Sequence, residues 1–304
     1  MLQMHNEQAA LHGVPSDERD LYQPGRAFGR FGMRHFQPNR MERPHWHGHV
    51  EFNLISGSTM TYDYDGRAVL VPQDQVVMFW AGIPHRLTDF GAPDLADVRL
   101  TNLYVPADTF LFMPHISPMQ VAMLAGEIRI LPLSALPKGK FLQWLEDCRS
   151  GSEERREILL QELNATLRRA QAADAASGDL RPGEGGEPRG TAADQTAKLA
   201  EMVRYILENL HAPLTVAQVA ETVGLHPNYA SSLFAKRLRM PMKRFFTRMR
   251  LIRARAILIE GRDPISVVAE MSGFSSMTQF YEHFRAAYGQ TPKEMRAQYA
   301  RGWG

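Results

Sequence analysis

A short pattern that occurs twice constrains this chain more than any other feature. Val219-Ala220-x3-Gly224-Leu225 and Val268-Ala269-x3-Gly273-Phe274 lie 49 residues apart, each closing a short apolar run that precedes a longer one. A helix-turn-helix needs this set: the alanine lets the second helix cross close by, the glycine takes the positive φ of the turn, and the next apolar residue plugs the corner. The surrounding sequence reads as helix throughout. Gly and Pro signals divide it into predicted helices over 196–210, 216–223, 227–238, 242–259, 265–271, 277–288 and 292–299. Two tandem units, 216–238 and 265–288, bridged by an amphipathic helix, favour a DNA reader over a generic bundle.

The charge distribution agrees with this. From Gln195 to Gly304 there are 16 Lys and Arg against 8 Asp and Glu, whereas the preceding residues carry 19 against 25. A basic last third behind an acidic body points to a polyanion as partner, although a solvated basic face gives the same balance. At 304 residues the chain is long enough for two domains. One cysteine, Cys148, excludes an internal disulfide. No apolar run reaches membrane-spanning length, and Met1 to Gly13 lacks a signal-peptide pattern, so the expectation is a cytoplasmic protein without membrane contact.

The domain expectation is an N-terminal tail or arm over 1–25, a sensor and dimerisation domain over 26–172, a linker over 173–194 and the DNA-binding domain over 195–304. Ala172 to Ala193 is rich in Gly, Pro, Ala and charge, which predicts a flexible joint that insulates the two halves. Before it, six short aromatic or β-branched runs predict strands over 28–36, 50–55, 59–64, 68–71, 75–80 and 99–104, and Asp65-Gly66 predicts a hairpin turn. So many short strands suggest a small antiparallel barrel or sandwich. Helices follow from Lys138 and over 152–170. In the second, Leu159, Leu163, Leu167 and Ala170 form an apolar stripe that either packs on the barrel or serves as a dimer seam.

Gly273-Phe274-Ser275-Ser276-x3-Phe280-x3-Phe284-Arg285-x3-Gly289-x-Thr291-Pro292-x2-Met295-Arg296 resembles the signature of the AraC family of bacterial transcription regulators. The likeness covers Thr196 to Gln298 and departs at Met295, where an aromatic is usual, a volume-conserving change at a core position. Phe274, Phe280 and Phe284 fall on one helical face, and Thr291-Pro292 reads as a helix start.

The family resemblance implies that each recognition helix enters the major groove and reads bases near its start. That assigns Asn228, Ser231 and Ser232 to the first helix, and Met277, Thr278, Gln279 and Glu282 to the second. Gln279 suits adenine, Glu282 suits cytosine, and Met277 or Thr278 suits a thymine methyl. Lys236, Arg237, Arg239, Lys243, Arg244, Arg285 and Lys293 suit phosphates. Tyr229, Leu233, Phe234, Phe245 and Phe246 are expected in the core.

A second constellation lies near the N-terminus. His45-Trp46-His47-x3-Glu51, with a later Pro84-His85, resembles the pattern of cupin barrels, where alternate strand positions aim side chains into the barrel mouth. Three nitrogens and a carboxylate suit a divalent transition metal. The stretch from Pro44 to Asp89 also resembles the barrel of sugar-responsive AraC-type regulators, which implies an α-galactoside or another small sugar as effector. Arg34, His45, Trp46, His47, Glu51, Trp80 and His85 supply the aromatic faces and polar groups such a site needs. On this inventory a sugar without metal is preferred, and His45, His47, Glu51 and His85 are the set for a metal if one is bound.

The fold class expected is therefore α+β: a cupin-like β-barrel with C-terminal helices for dimerisation, linked to an all-α double helix-turn-helix domain. The function expected is a non-enzymatic, cofactor-free, sugar-responsive activator that binds operator DNA as a homodimer and contacts RNA polymerase. The competing class is a metal-dependent cupin enzyme fused to a DNA-binding segment.

Overall fold

The computed structural model describes residues 31–92, 94–177, 189–260 and 262–300. The expected tail over 1–25 lies outside them. Among the described residues eight strands come first: β1 (Gly32–Phe36), β2 (His49–Ser56), β3 (Met60–Tyr64), β4 (Arg67–Val71), β5 (Val76–Trp80), β6 (His85–Phe90), β7 (Arg99–Pro106) and the short β8 (Arg129–Ile130). They form an antiparallel five-stranded sheet, β1-β7-β2-β5-β8, and a three-stranded sheet, β4-β3-β6. Asp65 and Gly66, with φ of 53° and 77°, turn β3 into β4 as the Asp-Gly pair predicts. Strand β6 has no counterpart among the six expected strands.

Alternation along each strand gives the larger sheet two different faces. Val50, Phe52, Leu54, Met78, Trp80, Leu103 and Val105 belong to a core shared with the helices. Ile55, Val77, Phe79 and Leu100 instead pack with Met60, Tyr62 and Leu87 of the smaller sheet. The segment that leads into β2 meets the smaller sheet where His45 pairs with His85 of β6. The two sheets stack as a sandwich and, among the described residues, do not close into one hydrogen-bonded barrel, which corrects the cupin-barrel expectation.

Four helices cover the outer face: α1 (Ala107–Leu111), α2 (Ser117–Leu124), α3 (Lys138–Arg149) and α4 (Glu153–Ser177). The stripe of α4 is intramolecular. Leu159, Leu163, Leu167 and Ala170 are fully buried in the shared core, and the Glu162 carboxylate accepts from Lys140 and from Trp144 Nε1 (2.7 Å) on α3. The expectation of a dimer seam on this stripe is corrected: α3 packs against α4, whose Asn164 and Gln171 also bond to Pro114 O and His115 O, and the stripe is already buried within the chain.

Seven helices follow: α5 (Arg189–Glu208), α6 (Val216–Thr222), α7 (Pro227–Leu238), α8 (Met242–Glu260), α9 (Ile265–Met271), α10 (Met277–Tyr288) and α11 (Pro292–Ala300). Thr215 and Gln218 form a capping box at the start of α6, and Thr291 and Glu294 exchange the same pair of bonds at α11. Phe280, Phe284 and Met295 are buried together, with Phe274 packed against them.

The two repeated turns are alike. Gly224 N–H donates to Glu221 O and Leu225 N–H to Ala220 O, and Gly273 and Phe274 repeat both bonds. Their surroundings differ, however. At Gly224 (φ +64°) an added Cβ meets open space, whereas at Gly273 (φ +86°) it would lie 1.9 Å from the Leu210 carbonyl oxygen. Gly224→Ala should therefore cost about 1 kcal/mol. Gly273→Ala should cost about 2–5 kcal/mol, because backbone must also move. Urea unfolding midpoints of the two variants check this, and equal losses would overturn it.

The two halves are docked, contrary to the expected insulation. Leu199, Met202, Val203 and Ile206 of α5 join the core that contains α1 and α2. Arg204 donates to Leu111 O (2.6 Å) and Gln120 Oε1 (3.0 Å). Of the expected linker over 173–194, α4 and α5 occupy the two ends, and residues 178–188 lie outside the described residues.

Candidate functional site

The residues expected to read DNA lie on α7 and α10. His226 caps α7 and Ser276 caps α10, each accepting from a backbone N–H of the first turn, so the side chains at the helix starts remain on the surface. Asn228, Ser232 and Lys236 are exposed and Ser231 half-buried on α7, and Met277, Thr278, Gln279, Glu282 and Arg285 are all exposed on α10. A groove of about 480 Å³ runs beside Asn228, Ser231, Ser232 and Lys243. Leu233, Phe234, Phe245 and Phe246 are core, but Tyr229 is 48% exposed, with its hydroxyl accepting from Gln195 Nε2.

Among the proposed phosphate partners, Lys236, Arg239, Lys243, Arg244, Arg285 and Lys293 are exposed. Arg237 is corrected: it is half-buried and donates to Gln195 Oε1 (3.0 Å). Other basic residues of this region hold the fold. Arg250 donates to Leu210 O (3.1 Å) and Ala212 O (2.9 Å), and Arg255 is buried. Part of the positive excess read from the sequence is therefore internal.

The second constellation gathers as expected in part. His45, His47, Glu51 and His85 offer one ligand atom each, all within 4.8 Å of one another. His47 Nε2 lies 2.7 Å and His85 Nε2 3.7 Å from Glu51 Oε1. His47 Nδ1 meets His49 Nδ1 at 2.9 Å. His85 Nδ1 lies 2.9 Å from the Ile83 carbonyl oxygen, an acceptor only, so Nδ1 carries a proton while Nε2 is turned toward Glu51. That buried Nε2 has no hydrogen-bond partner. Burial alone would raise the Glu51 carboxyl, but the imidazoles of His47 and His85 outweigh it and hold it well below the usual carboxylate range.

Two residues of the expected set, Trp80 and Trp46, stand elsewhere. Trp80 alternates with Phe79 onto the helix-covered face, where it is core. Trp46 points away from its histidine neighbours: its ring stacks on Tyr288 (4.4 Å between centroids) and its Nε1 donates to Ala287 O (3.3 Å) at the end of α10. Arg34 lies on the inner face, packed on Phe36 and opposite Asn102, which pairs in turn with Asn53.

Asn53, Asn102, Tyr62 and Tyr104 join the site without a place in the sequence-based expectation. Asn53 donates to Glu51 Oε2 (3.1 Å) and Tyr62 Oη (3.2 Å), and Asn102 to Tyr104 Oη (3.0 Å). The Oδ1 atoms of both asparagines are buried without a partner. The signal was available, since His49, Glu51 and Asn53 are alternate polar positions in the otherwise apolar His49–Ser56 run. No described helix is long and apolar enough to cross a membrane.

Comparison with known proteins adds four findings. Residues 219–298 match a family described as a helix-turn-helix domain. The melibiose operon regulatory protein of Escherichia coli K12 is 27% identical over 285 residues, which are 92% of this chain and 93% of that protein. Regulatory protein PocR of Salmonella typhimurium is 33% identical over 102 residues, 34% of each chain. A single-substitution variant of apo ToxT from Vibrio cholerae superposes with a TM-score of 0.55 over 90% of this chain and 98% of its own, at 8% identity, a likeness of fold alone.

Proposed function

From the premise that this chain is an AraC-type DNA-binding transcription regulator, we propose that it reads an operator with α7 and α10 together and responds to a small sugar. One observation carries the reading of DNA: two capped helices follow turns of the same geometry in a single chain, and both present polar residues at their exposed starts. Asn228, Ser231 and Ser232 face one major-groove segment, and Met277, Thr278, Gln279 and Glu282 the next, about one helical turn away. Lys236 and Arg285 hold phosphates.

The sugar reading rests on the likeness to the melibiose regulator over most of the chain and on chemistry between the sheets. Two buried amide oxygens, Asn53 Oδ1 and Asn102 Oδ1, are acceptors of the kind that sugar hydroxyls satisfy. Effector residues under this reading are Arg34, Asn53, Asn102, His45, His47, Glu51 and His85; Trp46 and Trp80 leave the set. In the same reading the protein is an activator that works beside RNA polymerase, as a homodimer whose contact lies away from the buried α4 stripe. The homologues are regulators, and the chain is read as one rather than as an enzyme.

The test is selection of duplexes from a random pool with the full chain. The expected result is a motif of two blocks about 10–10.5 base pairs apart. Gln279→Ala should then relax one position of the second block, at about 1–3 kcal/mol of lost discrimination. No enriched motif, or a Gln279→Ala motif unchanged at every position, would overturn the assignment.

A further inference from the structure

We propose that His45, His47, Glu51 and His85 bind one first-row divalent transition-metal ion, and that Trp46, held between two of these donors, relays its presence to α10. The relay rests on the DNA-regulator reading above; the ion site does not.

Three observations carry the site. The four donors converge to within 4.8 Å, and three of them are buried. An ion bonded at about 2.0–2.2 Å would need only modest contraction of that cluster. His85 is oriented by the bond from its Nδ1 to Ile83 O, and its buried Nε2 faces the Glu51 carboxylate at 3.7 Å. A histidine ligand to a metal characteristically gives its other N–H to a carbonyl in this way. His47 is likewise held from behind by His49, with Nε2 turned to Glu51. Three imidazoles and one carboxylate favour Zn²⁺, Ni²⁺ or Fe²⁺ over Mg²⁺, which prefers oxygen.

The relay follows from chain geometry. The segment is extended, so His45 and His47 face inward and Trp46 outward. Its indole is held between the Tyr288 ring and the Arg248 guanidinium, 5.5 Å from the ring centroid, and bonded to Ala287 O. The apolar cluster around α10 extends to Trp46 and Tyr104. Drawing His45 and His47 toward an ion shifts the residue between them, and that residue is seated on the C-terminal end of a recognition helix.

The experiment uses the full chain, stripped with a chelator and dialysed, and titrated calorimetrically with ZnCl₂, NiCl₂ and MgCl₂. One Zn²⁺ or Ni²⁺ per chain and no Mg²⁺ is expected. Glu51→Gln and His85→Gln should each weaken ion binding by about 100-fold. If either loses its circular dichroism signal, His45→Asn at the half-buried donor takes its place, with the same expectation. On the selected duplex, the ion should change the affinity of the unaltered chain about fivefold or more. Trp46→Phe should keep ion stoichiometry and lose that change. A folded chain that takes up neither Zn²⁺ nor Ni²⁺, or variants that bind as tightly as the parent, would overturn the site. A Trp46→Phe chain with the full response would overturn the relay. An ion-binding chain that selects no duplex overturns the regulator reading, and the relay with it, while the site stands.

Discussion

Raising the salt from 50 to 200 mM is expected to weaken binding of the full chain to its selected duplex by about 10³. Six basic residues of the reader, Lys236, Arg239, Lys243, Arg244, Arg285 and Lys293, are exposed, and each one that neutralises a phosphate releases a condensed counterion. At a slope of about −0.9 per contact, six contacts give an exponent near −5, and a fourfold rise in salt then yields that loss. Arg204, Arg237, Arg250 and Arg255 add nothing to the exponent, because carbonyls, amides or burial already engage them. Fluorescence anisotropy across the salt range measures the slope. A slope near zero would show that the cations do not meet the backbone, and a slope near −9 would mean that the internal arginines turn outward on binding.

Replacing Leu163 and Leu167 together by Glu should unfold the protein. Both leucines are completely buried in the core that α4 shares with α3, so the variant loses two core contacts and buries two unpaired carboxylates. Each exchange costs several kcal/mol, and a total above about 5 kcal/mol consumes the margin of an ordinary domain. Circular dichroism with sedimentation decides between the outcomes. A folded monomer formed from a parent dimer would restore the seam that the sequence suggested, whereas loss of the cooperative transition is the expected result.

The reader was legible because its signals are local. Pro227, Thr291-Pro292, Gly224, Gly273 and Gly289 act within one turn of their own position. The α7, α9 and α10 boundaries accordingly fall where the sequence puts them. The sensor was legible in its strands but not in their closure, since a barrel and a sandwich share the same alternation. Strand β6 escaped notice because it begins directly after Pro84, with the polar His85-Arg86 pair, and shows its apolar face only at Leu87 and Phe90. Of the candidate site, spacing found four converging donors. It misplaced Trp46 and Trp80 because an aromatic near a histidine carries no information about which side of a strand it takes. The stripe of α4 was ambiguous for a related reason: an apolar helical face states that it will be covered, and only the fold states by what.

The docking of α5 also bears on how such a chain is assembled over evolutionary time. Leu199, Met202, Val203 and Ile206 are core residues of a body whose other members are α1 and α2, and Arg204 is tied to Gln120 and Leu111. Recombination at the joint near 178–188 would hand a foreign sensor a helix whose apolar side matches nothing and whose arginine finds no carbonyl. A hybrid that keeps this packing would therefore have to carry α1, α2 and α5 together.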